Sequence, residues 1–268
     1  MAHPEFEAGV YGSFTLPCGN VGQLEEEETM TDPVESYLIR RQPTASRPLL
    51  GLTILLVEDS RFASEAVRLM CLRSGARIRR ADCLASAHKH LCTYRPSVAI
   101  VDLGLPDGHG EDLIRELRTG TSPVQVVLAT SGDPDGAERA FAAGAQDFLE
   151  KPVRSLGEFQ QAILRHLPAE SRPLGLRPMP EDRVDPDMLA FRDDLAHVAE
   201  LMTVAESEQP IDYIAQFISG VARSAEDGPL CAAAEAILRA EARGAANPTA
   251  LARLRNMVQS RLDQQIAI

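Results

Sequence analysis

The chain has 268 residues, with 39 acidic side chains against 27 basic ones and a net charge of −12. A surface that holds nucleic acid must be basic, so this balance argues against that class of partner. The longest nearly unbroken apolar run, Leu49 to Val57, is far short of a membrane span, and Glu5 and Glu7 stand where a secretory leader would be basic, so a cytoplasmic protein without a membrane segment is expected.

Residues 1–49 hold eight acids and three arginines, with the run Glu25–Glu28 and scattered Gly and Pro. Such a stretch buries too little to offset its ordering entropy, which predicts a mostly disordered segment. Met30 offers a second start for the chain. The five cysteines (Cys18, Cys71, Cys83, Cys92 and Cys231) show no CxxC spacing and read as free thiols.

Residues 50–168 alternate between two periods. Leu52–Val57 is a continuous apolar run, as in a strand buried on both faces. Ser60 is placed to cap a helix carrying Phe62, Ala63, Ala66, Val67, Met70 and Cys71, which Gly75 ends. Ile78–Ala81 predicts a short strand and Ala85–Leu91 a helix. Ser97–Val101 predicts a third strand, and Leu113, Ile114 and Leu117 mark a third helix. Val124–Ala129 is another buried strand, and Ala137–Ala143 is helical up to Gly144. Phe148 and Leu149 form a short strand, and a last helical stripe runs from Leu156 to Leu167. Five strand–helix pairs predict a doubly wound five-stranded parallel sheet with helices on both faces. Ligands of such sheets sit at the carboxyl ends of the strands.

Polar residues gather at those ends. Glu58 and Asp59 follow the first strand, Asp102 ends the third, Ser131 follows the fourth and Lys151 the fifth. Three close carboxylates repel one another, and a hard divalent cation relieves the repulsion. One carboxylate can then serve as a nucleophile toward phosphorus, with a hydroxyl and an ammonium holding the phosphoryl oxygens. Lys151 is one of only two lysines in the chain.

The stretches Leu55–Ser60, Val101–Gly110, Leu128–Asp133 and Ala143–Pro152 resemble the motifs of a response-regulator receiver domain, of flavodoxin-like fold, over residues 50–168. The resemblance implies that Asp102 accepts a phosphoryl group from a histidine kinase or phosphotransfer protein. It implies Mg²⁺ held by Glu58, Asp59, Asp102 and the carbonyl of Gly104. Ser131 would bond the phosphoryl group, Lys151 would pair with it, and Phe148 would swing inward as the switch aromatic. Pro152 would follow a cis peptide bond. Gly104 and Asp133 occupy positions that tune the phosphoryl lifetime. Self-phosphorylation and self-dephosphorylation would be slow, so the chain is expected to be a signalling phosphoprotein and not an enzyme. The interval of 20 residues from Ser131 to Lys151 is slightly short for the family.

Residues 169–184, rich in proline, read as a linker. From 185 to 268 the signal is helical throughout. Asp185–Pro186 opens a first helix and Pro210 a second, with apolar residues at Ile211, Ile214, Phe217, Ile218, Val221 and Ala222. Asp227-Gly228 marks a turn before a third, and Asn247-Pro248 starts a fourth, predicting an all-α four-helix bundle. Ile214–Gly220 resembles the phosphate-carrying helix of a histidine-phosphotransfer domain. Gln216 stands at the histidine position and Ser219 at the lysine position, while Gly220 matches. An amide cannot act as that nucleophile, so the resemblance implies a degenerate, phosphotransfer-like module. An unrelated helical bundle fits the same stripes.

Residues 180–268 hold fifteen acids and eight arginines, a net charge of −7. Output is therefore expected through a downstream protein target, with homodimerisation left open and no nucleic acid or membrane expected. The alternative is a transcriptional regulator with an unrecognised DNA-binding domain.

Overall fold

A computed structural model describes residues 42–120, 123–175, 178–203, 210–244 and 248–264. Strands β1 (Thr53–Val57), β2 (Arg77–Ala81), β3 (Val98–Asp102), β6 (Val126–Ser131) and β7 (Asp147–Glu150) form one parallel sheet in the order β2-β1-β3-β6-β7. The two-residue strands β4 (Gly104–Leu105) and β5 (Gly108–His109) form a small antiparallel pair. Helices α1 (Arg61–Ser74), α2 (Leu84–Thr93), α3 (Gly110–Thr119), α4 (Gly136–Ala143) and α5 (Leu156–Leu164) alternate with the strands. The expected α/β architecture is present.

Alternation along the central strands sorts the core into two layers. Ile54, Leu56, Ile100 and Leu128 pack with Val67 and Met70 of α1 and Phe159 and Ile163 of α5. Leu55, Val57, Val101 and Val127 pack with Leu113, Ile114 and Ala140 on the opposite face. Ser60 caps α1 by accepting from Ala63 N, and Gly75 and Gly144 end their helices in the left-handed conformation, at φ 84° and 101°. The first turn of α2 is capped from a distance, as Asp107 accepts from Leu84 N at 2.8 Å and Ala85 N at 2.9 Å.

Some boundaries move. The fourth strand runs from Val126 to Ser131, two residues later than the apolar run suggests, because pairing with β3 begins at Val126. Of the segment expected to be disordered, residues 1–41 lie outside the described residues. Residues 42–49 are folded: Leu49 is buried in the core and its N–H donates to Ser74 O. The stretch read as a linker packs on the sheet domain at its far end. Val184 is buried, its N–H donates to Arg154 O, and Leu156 N donates to Asp182 O.

Helices α6 (Met188–Thr203), α7 (Ile211–Ser224), α8 (Gly228–Glu241) and α9 (Pro248–Gln264) follow. Asp187, not Asp185, caps α6, accepting from Leu189 N at 2.9 Å. Asp227 caps α8 through Leu230 N and is held by Arg261. Leu195, Val198, Ile214, Ile218, Val221, Ile237, Leu254 and Val258 form the core of these four helices. Phe62 of α1 joins the same cluster, its ring edge-on to Phe191 at 5.7 Å. The two cores therefore meet across α1. Among the described residues no helix is long and apolar enough to cross a membrane.

Cys71 lies in the sheet-domain core, and burial pushes its thiol up to about 12, whereas Cys92 is exposed. Reactive cysteines need an accessible thiolate. Iodoacetamide on the native protein is expected to label Cys92 and spare Cys71, as read by peptide mass spectrometry. Equal labelling would contradict the packing of α1.

Candidate phosphoacceptor site

Parallel strands deliver their following residues to one edge. Glu58 and Asp59 follow β1, Asp102 closes β3, Ser131 closes β6 and Lys151 follows β7. Carboxylate oxygens of Glu58, Asp59 and Asp102 lie within 4.8 Å of one another. Lys151 Nζ reaches Glu58 at 2.7 Å and Asp102 at 2.8 Å. Glu58, Asp102, Ser131 and Lys151 are all buried, while Asp59 is half-buried. Four of the five residues singled out from the sequence, Glu58, Asp59, Asp102 and Lys151, come together here, and Ser131 stands at the same edge, its main-chain oxygen accepting from Lys151 N at 3.0 Å.

The charges are unbalanced, with three carboxylates beside one ammonium. Burial holds the Glu58 carboxyl well above its ordinary range, and the neighbouring Asp102 and Asp59 add to this against the pull of Lys151. Asp59 is pushed up to about 7 by burial, with the charge of Asp102 next. Burial works against the Lys151 cation, but the three carboxylates outweigh it and hold its pKa above the ordinary value. This donor set of hard oxygens with surplus negative charge suits a small divalent cation.

Ser131 Oγ accepts from Asp133 N at 3.1 Å. Asp133 is tied to Arg139 at 2.9 Å, and Arg139 also binds Glu111. Phe148 is half-buried beside α4, where a Cβ on Gly136 would lie 3.3 Å from its ring and 2.9 Å from the Ser131 Cβ. The Lys151-Pro152 peptide is cis, as expected. Gly110 carries a signal that the sequence reading passed over. A Cβ there would fall on the carbonyl oxygen of Asp102, so only glycine lets α3 start this close to β3.

Residues beyond position 184 also reach this edge. The Tyr213 hydroxyl donates to Asp59 Oδ2 at 2.8 Å. Burial, followed by the charge of Asp59, raises the pKa of this hydroxyl and keeps it protonated. Gln216 lies against Gly104, its Nε2 2.8 Å from where a Cβ at 104 would stand. Arg223 Nη1 lies 3.1 Å from the corresponding point on Gly132. Asp194 accepts from Ser60 Oγ and Arg61 N, both at 2.8 Å, and from Phe62 N at 3.0 Å. Arg154 donates to Ser224 O and Glu226 at 2.7 Å. Ser219 is buried with Oγ 3.6 Å from Cys231 Sγ, and a Cβ on Gly220 would meet nothing within 4 Å. Tyr213, Gln216, Gly220 and Arg223 are spaced 3, 4 and 3 residues apart, one face of a helix, which was the available sequence signal for the first and last of them.

A scan of family models matches residues 54–164 to the response regulator receiver domain. The KDP operon transcriptional regulatory protein KdpE of Escherichia coli is 34% identical over 117 residues, 42% of this chain and 52% of KdpE. The virulence transcriptional regulatory protein PhoP of Salmonella typhimurium is 33% identical over 118 residues, with the same coverage of 42% and 52%. The chain thus spans about half the length of the curated relatives it matches. Among solved structures, the receiver domain of sensor histidine kinase PA1611 from Pseudomonas aeruginosa, which holds magnesium in its active-site cleft, is 25% identical with a TM-score of 0.39, covering 43% of this chain and 96% of that one. A signal receiver domain of a histidine kinase from Syntrophus aciditrophicus is 26% identical with a TM-score of 0.40, covering 47% and 99%. Residues 54–164 of this chain are a response regulator receiver domain, followed by a region of helices.

Proposed function

We propose that the chain is a cytoplasmic two-component response regulator whose Asp102 accepts a phosphoryl group from a histidine kinase or phosphotransfer protein. The observation that carries this reading is the Lys151 ammonium bridging Glu58 and Asp102 beside Asp59. A carboxylate oxygen of Asp102 attacks the phosphorus, the bond from phosphorus to the donor nitrogen breaks, and the imidazole leaves with that electron pair. Glu58, Asp59, Asp102 and the Gly104 carbonyl would hold Mg²⁺, which supplies positive charge to the phosphoryl oxygens. Lys151 exchanges one carboxylate for a phosphoryl oxygen, and Ser131 donates its hydroxyl to another. Phe148 then turns inward as Ser131 moves, shifting the receiver between two states.

The helical region is the output module and acts by protein–protein contact. Its Gln216 and Ser219 stand where a phosphotransfer helix carries histidine and lysine, with Gly220 retained, so it docks like such a helix but passes on no phosphate. KdpE and PhoP are named as transcriptional regulators, but they match this chain over only 42% of its length and 52% of their own. The net charge of −7 over residues 180–268 favours a protein partner over DNA.

Acetyl phosphate with Mg²⁺ is expected to place an alkali-labile label on the full chain, and Asp102→Asn is expected to abolish it. Label that persists in the variant would remove Asp102 from its role. Duplex DNA binding at moderate salt would instead support the transcriptional alternative.

A further inference from the structure

We propose that the helical region is a latch on its own receiver: α7 closes the mouth over Asp102, and a phosphodonor reaches that carboxylate only after α6 and α7 lift away. This rests on the reading of Asp102 as the phosphoacceptor. In-line attack needs the phosphorus roughly 3–3.5 Å from a carboxylate oxygen, with the leaving atom beyond it. A donor must therefore stand directly over Asp102, which is 6% exposed here. That space is bounded by Gly104, two residues past Asp102, and Gly132, one past Ser131. Gln216 covers the first and Arg223 the second, while Tyr213 on the same helix holds Asp59. A cleft of about 800 Å³ opens between the receiver and α6–α7, and its lining includes Asp59 but not Asp102. Asp59 thus borders the open cleft, while Asp102 lies outside it and is buried.

The docking is polar and specific. The Asp194 carboxylate, buried at 2% exposure, takes the free N–H groups of the first turn of α1 together with the Ser60 hydroxyl. Phe62 supplies the apolar centre against Phe191. Water can replace those hydrogen bonds, so the closed form is held by a modest free energy and can open. A phosphoryl group on Asp102 replaces a single carboxylate charge with about two negative charges, a net gain of about −1, and puts its own bulk in the space Gln216 covers. Docking and phosphorylation therefore exclude each other, and by linkage phosphorylation favours the open form. Opening frees the Tyr213–Arg223 face of α7 for a second protein, which is how one surface both silences the receiver and delivers its output.

The test compares the full chain with Asp194→Ala/Tyr213→Phe and with Tyr213→Phe alone. Two quantities are measured: the initial rate of acetyl phosphate labelling with Mg²⁺, and amide hydrogen exchange at residues 61–62 and 211–224. The double variant is expected to label about 10-fold faster or more, because hydrogen bonds to a buried charge are lost, and to exchange faster in both segments. The single variant is expected to move both readouts the same way by less. In the wild-type chain, beryllofluoride with Mg²⁺ is expected to raise exchange in the same segments. Unchanged labelling despite faster exchange, or full protection of both segments with beryllofluoride bound, would overturn the latch. Faster exchange in the double variant with no label on any protein would establish the docking and overturn the phosphoacceptor reading instead.

Discussion

Lys151→Met is expected to cost the metal-free protein about 3–5 kcal/mol at neutral pH, the usual penalty for removing one partner of a buried ion pair. Methionine nearly matches the stem of lysine in volume, so the loss reports charge and not packing. The ammonium lies 2.7 Å from Glu58 and 2.8 Å from Asp102, and all three groups are buried. The sign of the pH dependence follows from Glu58. Burial already raises its pKa in the folded state, and losing the lysine raises it further. Between the ordinary carboxylate pKa and the raised one, the folded variant binds more protons than the unfolded chain, so its stability falls as pH rises. The gap between variant and wild type should therefore be wide at about pH 8 and narrow at about pH 5, where folded carboxyls take up protons. Added Mg²⁺ should recover part of the loss, since a divalent cation meets the same surplus of carboxylate charge. Urea unfolding at the two pH values, with and without Mg²⁺, measures all of this. A gap independent of pH would mean that Lys151 contributes by packing alone.

The receiver was legible because its strands are buried on both faces. Ile54–Val57, Val98–Val101 and Val126–Ala129 have no solvent side, so they read as apolar runs whatever their neighbours. Once the strand ends are fixed, a parallel sheet brings Glu58, Asp59, Asp102, Ser131 and Lys151 to one edge. The outer strands read weakly for a physical reason. β2 is RIRRA at the sheet edge, where arginines cost nothing, and β7 at the other edge is only four residues long. What stayed hidden is the contact between distant segments. Asp194 accepts from groups more than 130 residues earlier, and Tyr213 reaches 154 residues back to Asp59. Gln216 stood out as an amide where a nucleophile was expected, but helical spacing alone does not place it on Gly104. Asp107 capping α2 escaped for the same reason, since a cap normally comes from the residue just before its helix.

Phe159→Ala is expected to destabilise the protein by about 3–5 kcal/mol, lowering the midpoint by roughly 6–20 °C for a chain of this size. Phe159 is fully buried on α5, in the layer with Ile54, Leu56, Ile100, Leu128 and Leu149. These residues come from the strands whose ends carry the site, so the ring supports the site through the sheet without belonging to it. The two substitutions therefore separate scaffold from chemistry. Phe159→Ala should shift the denaturation midpoint at unchanged m-value while the folded fraction takes phosphoryl label in full. Lys151→Met should fail to label even where it is folded, because the phosphoryl oxygens lose their ammonium partner. A cost below about 1 kcal/mol for Phe159→Ala would mean that α5 does not pack on the sheet as described. Full labelling of folded Lys151→Met would mean that the cation serves only to hold the two carboxylates together.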